Sequence, residues 1–324
     1  MMALSGLSVS FDTAQALRDV SLQVPQGTRL GIVGESGSGK SMLGLSMMGM
    51  VPEAARVSGR IMLDGTDLSG ASERLWRRHR ARRVAMIFQE PMAALNPLQR
   101  LGDTVMEPLQ VHLGLTRAAA RTRALELFDE VGIPDPPARL RQYPHEISGG
   151  QRQRVLIALA LSCDPALLIA DEPTTALDAH VALRIIELLV DLAERRQMAL
   201  VFISHDLAAV ARATERIAVM YGGEIAEEGP TAAVLENPRH PYTRGLLGAR
   251  PGIGGATPAR GADGRRQRLP TIPGSVPPLS QLPAGCRFAG RCPVEMPHCA
   301  DTRPAAYPLP GDRHAACHLL GAGA

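Results

Sequence analysis

A chain of 324 residues with 45% hydrophobic content can build one large domain plus an appendage, and at 3% aromatic residues its core rests on Ala, Leu, Val, Ile and Met. A formal net charge of +3 is too slight to argue for nucleic acid as a partner. No apolar run approaches the ~18–20 residues of a membrane helix and residues 1–11 lack the basic start of a secretion signal, so the chain is expected to be cytosolic.

In chain order, residues 4–11, 17–24 and 60–63 read as antiparallel strands, and the apolar run 30–33 as a buried strand. The run GESGSGKS follows at once, supplying Gly34, Glu35, Ser36, Gly37, Ser38, Gly39, Lys40 and Ser41. Glycines at its ends let backbone N–H groups close around phosphates, and a helix starting at Lys40 adds its dipole to the ammonium charge. Ser41 offers a hydroxyl to Mg²⁺. The basic cluster 74–83, with Trp76 inside it, reads as a solvated helix face in preference to a nucleic-acid site. Residues 84–88 are a further strand, ending before Gln89.

Residues 91–165 read as largely helical, with apolar residues at helical spacing over 116–131 and a break at Tyr143-Pro144-His145. A helix over 151–162 follows the run ISGGQ, so Ser148, Gly149 and Gly150 stand at a helix start that can point donors at an anion. Cys163 is expected inside that helix as a small core residue. The strand 167–170 delivers adjacent carboxylates, Asp171 and Glu172, at its C-terminal end, where parallel α/β sheets place ligands. Such a pair can divide labour: Asp171 orders Mg²⁺, and Glu172 polarises a water attacking a phosphate. Residues 200–204 form one more strand before His205.

ISGGQ resembles the signature motif of the ATP-binding cassette (ABC) ATPases, with Ile147 in place of the usual Leu. The resemblance implies that Ser148, Gly149, Gly150 and Gln151 of one subunit close over ATP held by the phosphate loop of another. It also implies a role for Gln89 at the Mg²⁺ and water site, for Asp178 in a loop crossing the dimer interface, and for His205 in holding the γ-phosphate and the catalytic carboxylate. Phe11 matches the aromatic that stacks on adenine in many relatives. The implied fold is α/β: a P-loop ATPase core, an antiparallel β subdomain, a helical signature subdomain at about 91–165, and a small cysteine-containing C-terminal extension. A DNA-repair ATPase of this type needs a long coiled coil, and a translation factor usually carries two cassettes; this sequence has neither.

The ATPase body is expected over 1–248, a Gly/Pro/Arg-rich linker over 249–270, and an extension over 271–324 that holds Cys286, Cys292, Cys299 and Cys317. Four thiols in a short stretch of a cytosolic protein argue for a metal or cluster over disulfides. FQEPMAALNP, NPRHPYTRGLL and these cysteines together resemble the ATPase subunits of oligopeptide, dipeptide and nickel importers. That resemblance implies a [4Fe–4S] cluster on the four cysteines, with Zn²⁺ or empty reduced thiols as alternatives. It also implies two permease subunits, a second ATPase that is by family habit a paralogue, an extracytoplasmic binding protein, and a peripheral place at the cytoplasmic face of the plasma membrane. The cargo, whether dipeptide, oligopeptide, nickel or another solute, is not written in this chain.

Overall fold

The computed structural model describes residues 1–12, 14–89, 94–175, 177–249 and 271–321. Alternation of buried and accessible residues along β1 (Met2–Phe11) sends Leu4, Leu7 and Val9 to one face. It pairs antiparallel with β2 (Ala14–Val24) and β4 (Arg56–Leu63), and β5 (Thr66–Asp67) completes a four-stranded sheet in the order β2-β1-β4-β5. β2 and β4 start several residues earlier than their apolar runs. The ladder carries them through polar pairs such as Ser8 with Ser58 and Ser10 with Arg56, where backbone bonding, not hydropathy, maintains the strand.

The second sheet is built on β3 (Arg29–Val33), β6 (Val84–Ile87), β7 (Leu167–Asp171), β8 (Ala199–Ser204) and β9 (Arg216–Tyr221), all parallel to their neighbours among these five. Beyond β9 the antiparallel strands β10 (Glu224–Pro230), β11 (Ala306–Leu309) and β12 (Arg313–Ala316) give the order β11-β12-β10-β9-β3-β8-β7-β6. Strand β11 carries Pro308 opposite His314. The period of two splits the inner strands between two cores. Val33, Leu200 and Phe202 face one, while Ile32, Val201 and Ile203 face the other. The second core lies against the four-stranded sheet.

Helix α1 (Lys40–Met47) buries Leu43 and Met47 in that second core. Helix α2 (Glu73–His79) covers the basic cluster, which is only partly a solvated face: Trp76 is buried, and Arg80 bonds the Met48 and Gly49 carbonyls as well as Glu73. The helical region comprises α3 (Leu101–Leu113), α4 (Arg117–Glu130), α5 (Pro136–Arg139) and α6 (Gly149–Leu161). Thr116 caps α4 by accepting from the Ala119 amide, so the expected helix begins one residue later. Cys163 lies just past the end of α6, not inside it. The helix stops at Leu161, and the buried thiol approaches the Pro108 carbonyl at 3.6 Å. Helices α7 (Ala179–Arg195), α8 (Leu207–Ala213), α9 (Thr231–Glu236) and α10 (Pro241–Gly248) complete the body. Among the described residues no helix is long and apolar enough to cross a membrane.

The expected linker over 249–270 lies outside the described residues apart from Ala249. The C-terminal segment does not stand apart from the body, because β12 bonds directly to β10. Its docking is fixed by an ion pair with almost no solvent access. Arg313 Nη2 donates to Glu227 Oε1 at 2.7 Å, and Glu227 also accepts from the backbone amides of Arg239 and His240. Removing one partner of such a pair leaves a buried, uncompensated charge. Arg313→Ala is therefore expected to destabilise the C-terminal edge by about 3–5 kcal/mol, seen in urea unfolding and in early amide exchange of β11 and β12.

Candidate active site

The phosphate loop leaves β3 at the C-terminal edge of the sheet, between β8 and β9. Gly34 is required by close approach: a Cβ there would sit 2.2 Å from the Met220 carbonyl and 2.6 Å from Ser38 Oγ. Gly39 precedes α1 with φ of 98°, a left-handed conformation that opens the helix N-terminus toward the loop. Lys40 is buried, and its Nζ donates to the carbonyls of Gly34 at 2.9 Å and Glu35 at 3.0 Å. Burial lowers its pKa, against the attraction of Glu172, Asp171 and Glu35.

Asp171 ends β7 and is 4% exposed. Burial pushes its carboxyl above the usual carboxylate range; a hydrogen bond from Ser41 opposes this, and the neighbouring Glu172 charge reinforces it. Its Oδ1 is buried with no hydrogen-bond partner among the described residues. An orphaned carboxylate oxygen beside a serine hydroxyl is the hard-oxygen donor set that Mg²⁺ takes, so these residues fit the ion.

Glu172 adopts φ of 48°, a left-handed conformation uncommon for a residue other than glycine. Its amide donates to the Ile203 carbonyl of β8 at 2.9 Å, which anchors the turn. The carboxylate meets His205 Nδ1 at 2.9 and 3.0 Å and accepts from Thr175 Oγ1 at 2.7 Å. Burial pushes Glu172 up, but the bonds from His205 and Thr175 outweigh it and hold the group below its ordinary value, hence ionised at neutral pH. Glu35, Ser36, Gln89, Glu172, Thr175 and His205 line one cleft of about 480 Å³ with the start of the phosphate loop. Sequence reasoning missed Thr175, whose role is visible only once the turn brings it back to Glu172.

The remaining expected site residues stand elsewhere. Ser148 caps α6: its Oγ accepts from the Gln151 amide at 3.3 Å, and Gln151 Oε1 accepts from the Ser148 amide at 3.1 Å. Asp178 caps α7 by accepting from the Val181 amide at 3.0 Å, and Gly150 abuts Val181, so the two helix starts are neighbours. Neither Asp178 nor residues 148–151 line the cleft. Phe11 is half-buried at the tip of β1, packed against the second core and outside the cleft. Glu90, Pro91, Met92, Ala93 and Ala176, which belong to the motifs flagged in the sequence, lie outside the described residues.

Cys286, Cys292, Cys299 and Cys317 converge on one small pocket, together with His240, Phe288 and His318. Burial, with the other thiols adding, pushes Cys286 up to about 11. Among the described residues no group of three or more His, Cys, Asp or Glu is placed to hold a single metal ion.

A phosphate loop, two adjacent carboxylates at the end of one strand, a histidine on the second carboxylate and a separate serine-capped glycine turn define an ABC-type P-loop ATPase. The ABC transporter family matches residues 17–175, and the oligopeptide/dipeptide transporter C-terminal region matches residues 226–299. With a dipeptide transport ATP-binding protein, DppD of Escherichia coli K12, 45% identical over 94% of this chain and 90% of its own length, the chain belongs to the ABC transporter ATP-binding proteins of the oligopeptide and dipeptide branch. A putative peptide import ATP-binding protein of Brucella melitensis is likewise 45% identical, over 92% of this chain and 91% of its own. Among solved structures, a dimeric post-hydrolysis ATP-binding cassette, MJ0796 with ADP and Pi, matches at TM-score 0.64 and 28% identity over 71% of this chain and 99% of that one.

The Gly34 contacts generate a direct expectation. Gly34→Ala forces a methyl group against backbone and should abolish ATP binding in a fluorescent-nucleotide titration, with a loss of about 1–3 kcal/mol in stability.

Proposed function

We propose that this chain is the ATP-hydrolysing subunit of an importer for di- and oligopeptides. Two permease subunits form its pore, a second ATPase subunit, a paralogue, completes its dimer, and an extracytoplasmic binding protein feeds it; the chain sits at the cytoplasmic face of the plasma membrane. The observation that carries this reading is that one chain joins an ABC cassette to the oligopeptide/dipeptide C-terminal region, at 45% identity to DppD. Residues 1–248 are read as the ATPase body, 249–270 as a linker and 271–324 as the extension.

The phosphate loop, from Gly34 through Ser41, cradles the triphosphate, with Lys40 turning from its loop carbonyls to the phosphate oxygens. Ser41 and Asp171, with Gln89, would hold Mg²⁺, which when bound neutralises charge on the phosphates. Glu172 acts as general base toward water. His205 and Thr175 orient its carboxylate and keep it ionised. Ser148, Gly149, Gly150 and Gln151 serve the site of the paired subunit, Asp178 lies along that interface, and Phe11 stacks on adenine. Closure of the pair on ATP drives the permeases, and hydrolysis resets them.

The four cysteines would hold a [4Fe–4S] cluster, whose contribution is to staple a segment too small to build a core alone. Anaerobic purification followed by iron, sulfide and zinc analysis is expected to give iron and sulfide in equal amounts; one zinc and no sulfide would replace the cluster with a zinc site.

The transport reading is tested by ATP hydrolysis in a membrane-reconstituted complex challenged with binding protein loaded with short peptides, nickel chelates or nothing. Peptides alone are expected to stimulate turnover. Glu172→Gln should keep ATP affinity and lower turnover by about 10²–10⁴. A response to nickel only would leave the ATPase intact and replace the cargo.

A further inference from the structure

Glu35 puts a carboxylate in the phosphate loop, and the residue lines the cleft in which a polyanion must bind. Left alone, that charge would repel the substrate, and at short range in a partly buried site the repulsion is poorly screened. The structure neutralises it from the far end of the chain. Arg291 Nη1 donates to Glu35 Oε2 at 2.8 Å, and Nη2 to Oε1 at 3.1 Å, a two-pronged contact whose arginine side chain is 5% exposed. The guanidinium is itself fixed by the carbonyls of Pro273 and Gly274 and by the Tyr221 hydroxyl. The Glu35 amide meanwhile donates to the Tyr242 hydroxyl at 2.8 Å, and Lys40 holds the Glu35 carbonyl. Tyr221, Tyr242 and Phe288 pack as three mutually contacting rings beneath this point, with centroids 4.7 to 5.4 Å apart.

We propose that Arg291 is a positioning residue for ATP: it cancels the Glu35 charge at the mouth of the triphosphate site and fixes the loop, making nucleotide affinity depend on the docked C-terminal segment. The pair is protein on both sides, so the inference holds whatever the neighbouring thiols carry and whatever the importer moves. Nothing in the phosphate-loop pattern asks for this contact. The loop is complete in its own backbone, and the arginine arrives from 256 residues away.

The test is a double-mutant cycle read by nucleotide affinity. Arg291→Met is expected to raise the Kd for ATP about tenfold in the native background, and by less than twofold when Glu35→Gln has already removed the charge. The variant loses the same bonds to Pro273, Gly274 and Tyr221 in both backgrounds. A cost that came only from loosening the C-terminal segment would therefore be equal in the two, and that result overturns the proposal. An unchanged Kd for Arg291→Met in the native background overturns it as well. Hydrolysis by Arg291→Met in the native background should show the change in KM for ATP, with kcat within about twofold, because Arg291 bonds to neither Glu172 nor His205.

Discussion

Parallel pairing of β3 with β8 on one side and β9 on the other sets Val33 level with Ser204 and Val219, and β7 brings Asp171 to the same edge opposite Ile203. Three strand ends thus discharge their polar residues into one small volume: the phosphate loop, the carboxylate pair and the His205 turn. Within it burial works against the charged forms of two of the groups. Burial weakens the Lys40 ammonium and the Asp171 carboxylate alike, and the cation is engaged with carbonyls instead of neutralising either acid. Such a site stores electrostatic imbalance that a triphosphate with its cation can relieve. Everything else in the body, from the two hydrophobic cores to the helical region, keeps those strand ends in register.

Much of this was legible in the sequence because it is backbone chemistry. Glycines at fixed spacing, an apolar run before them, and an acid pair after another apolar run leave little freedom about where they meet. Two helix starts were legible to within two residues, at Thr116 and Ser148, whereas the Asp178 cap of α7 carried no helix expectation at all. The strands β2 and β4 were cut short in the sequence reading, since a ladder can run through polar residues that hydropathy ignores. Cys163 continues the apolar pattern of α6 but lies two residues beyond its end. Long-range ion pairs were out of reach altogether. Glu227 with Arg313 and Glu35 with Arg291 are separated by 86 and 256 residues, and no local pattern marks either partner.

The cysteine-bearing segment shows how a short stretch gains structure by borrowing. Its two strands are added to an existing sheet, its buried arginine uses a carboxylate on β10, and Phe288 completes an aromatic cluster begun by Tyr221 and Tyr242 of the body. Little of its stability is then its own. The four thiols line one pocket with His240, whose burial lowers that ring's pKa to about 4 and so leaves it neutral.

The eight-stranded sheet ends on β11, four residues long, with Pro308 in its middle and Pro310 just beyond. A proline offers no amide to an incoming strand, and so short an edge gives few other bonds. The β11 edge is therefore a poor template for another strand, from a second copy or from an unfolded chain. The opposite edge is protected differently: β6 is also four residues long, but every one of them is buried.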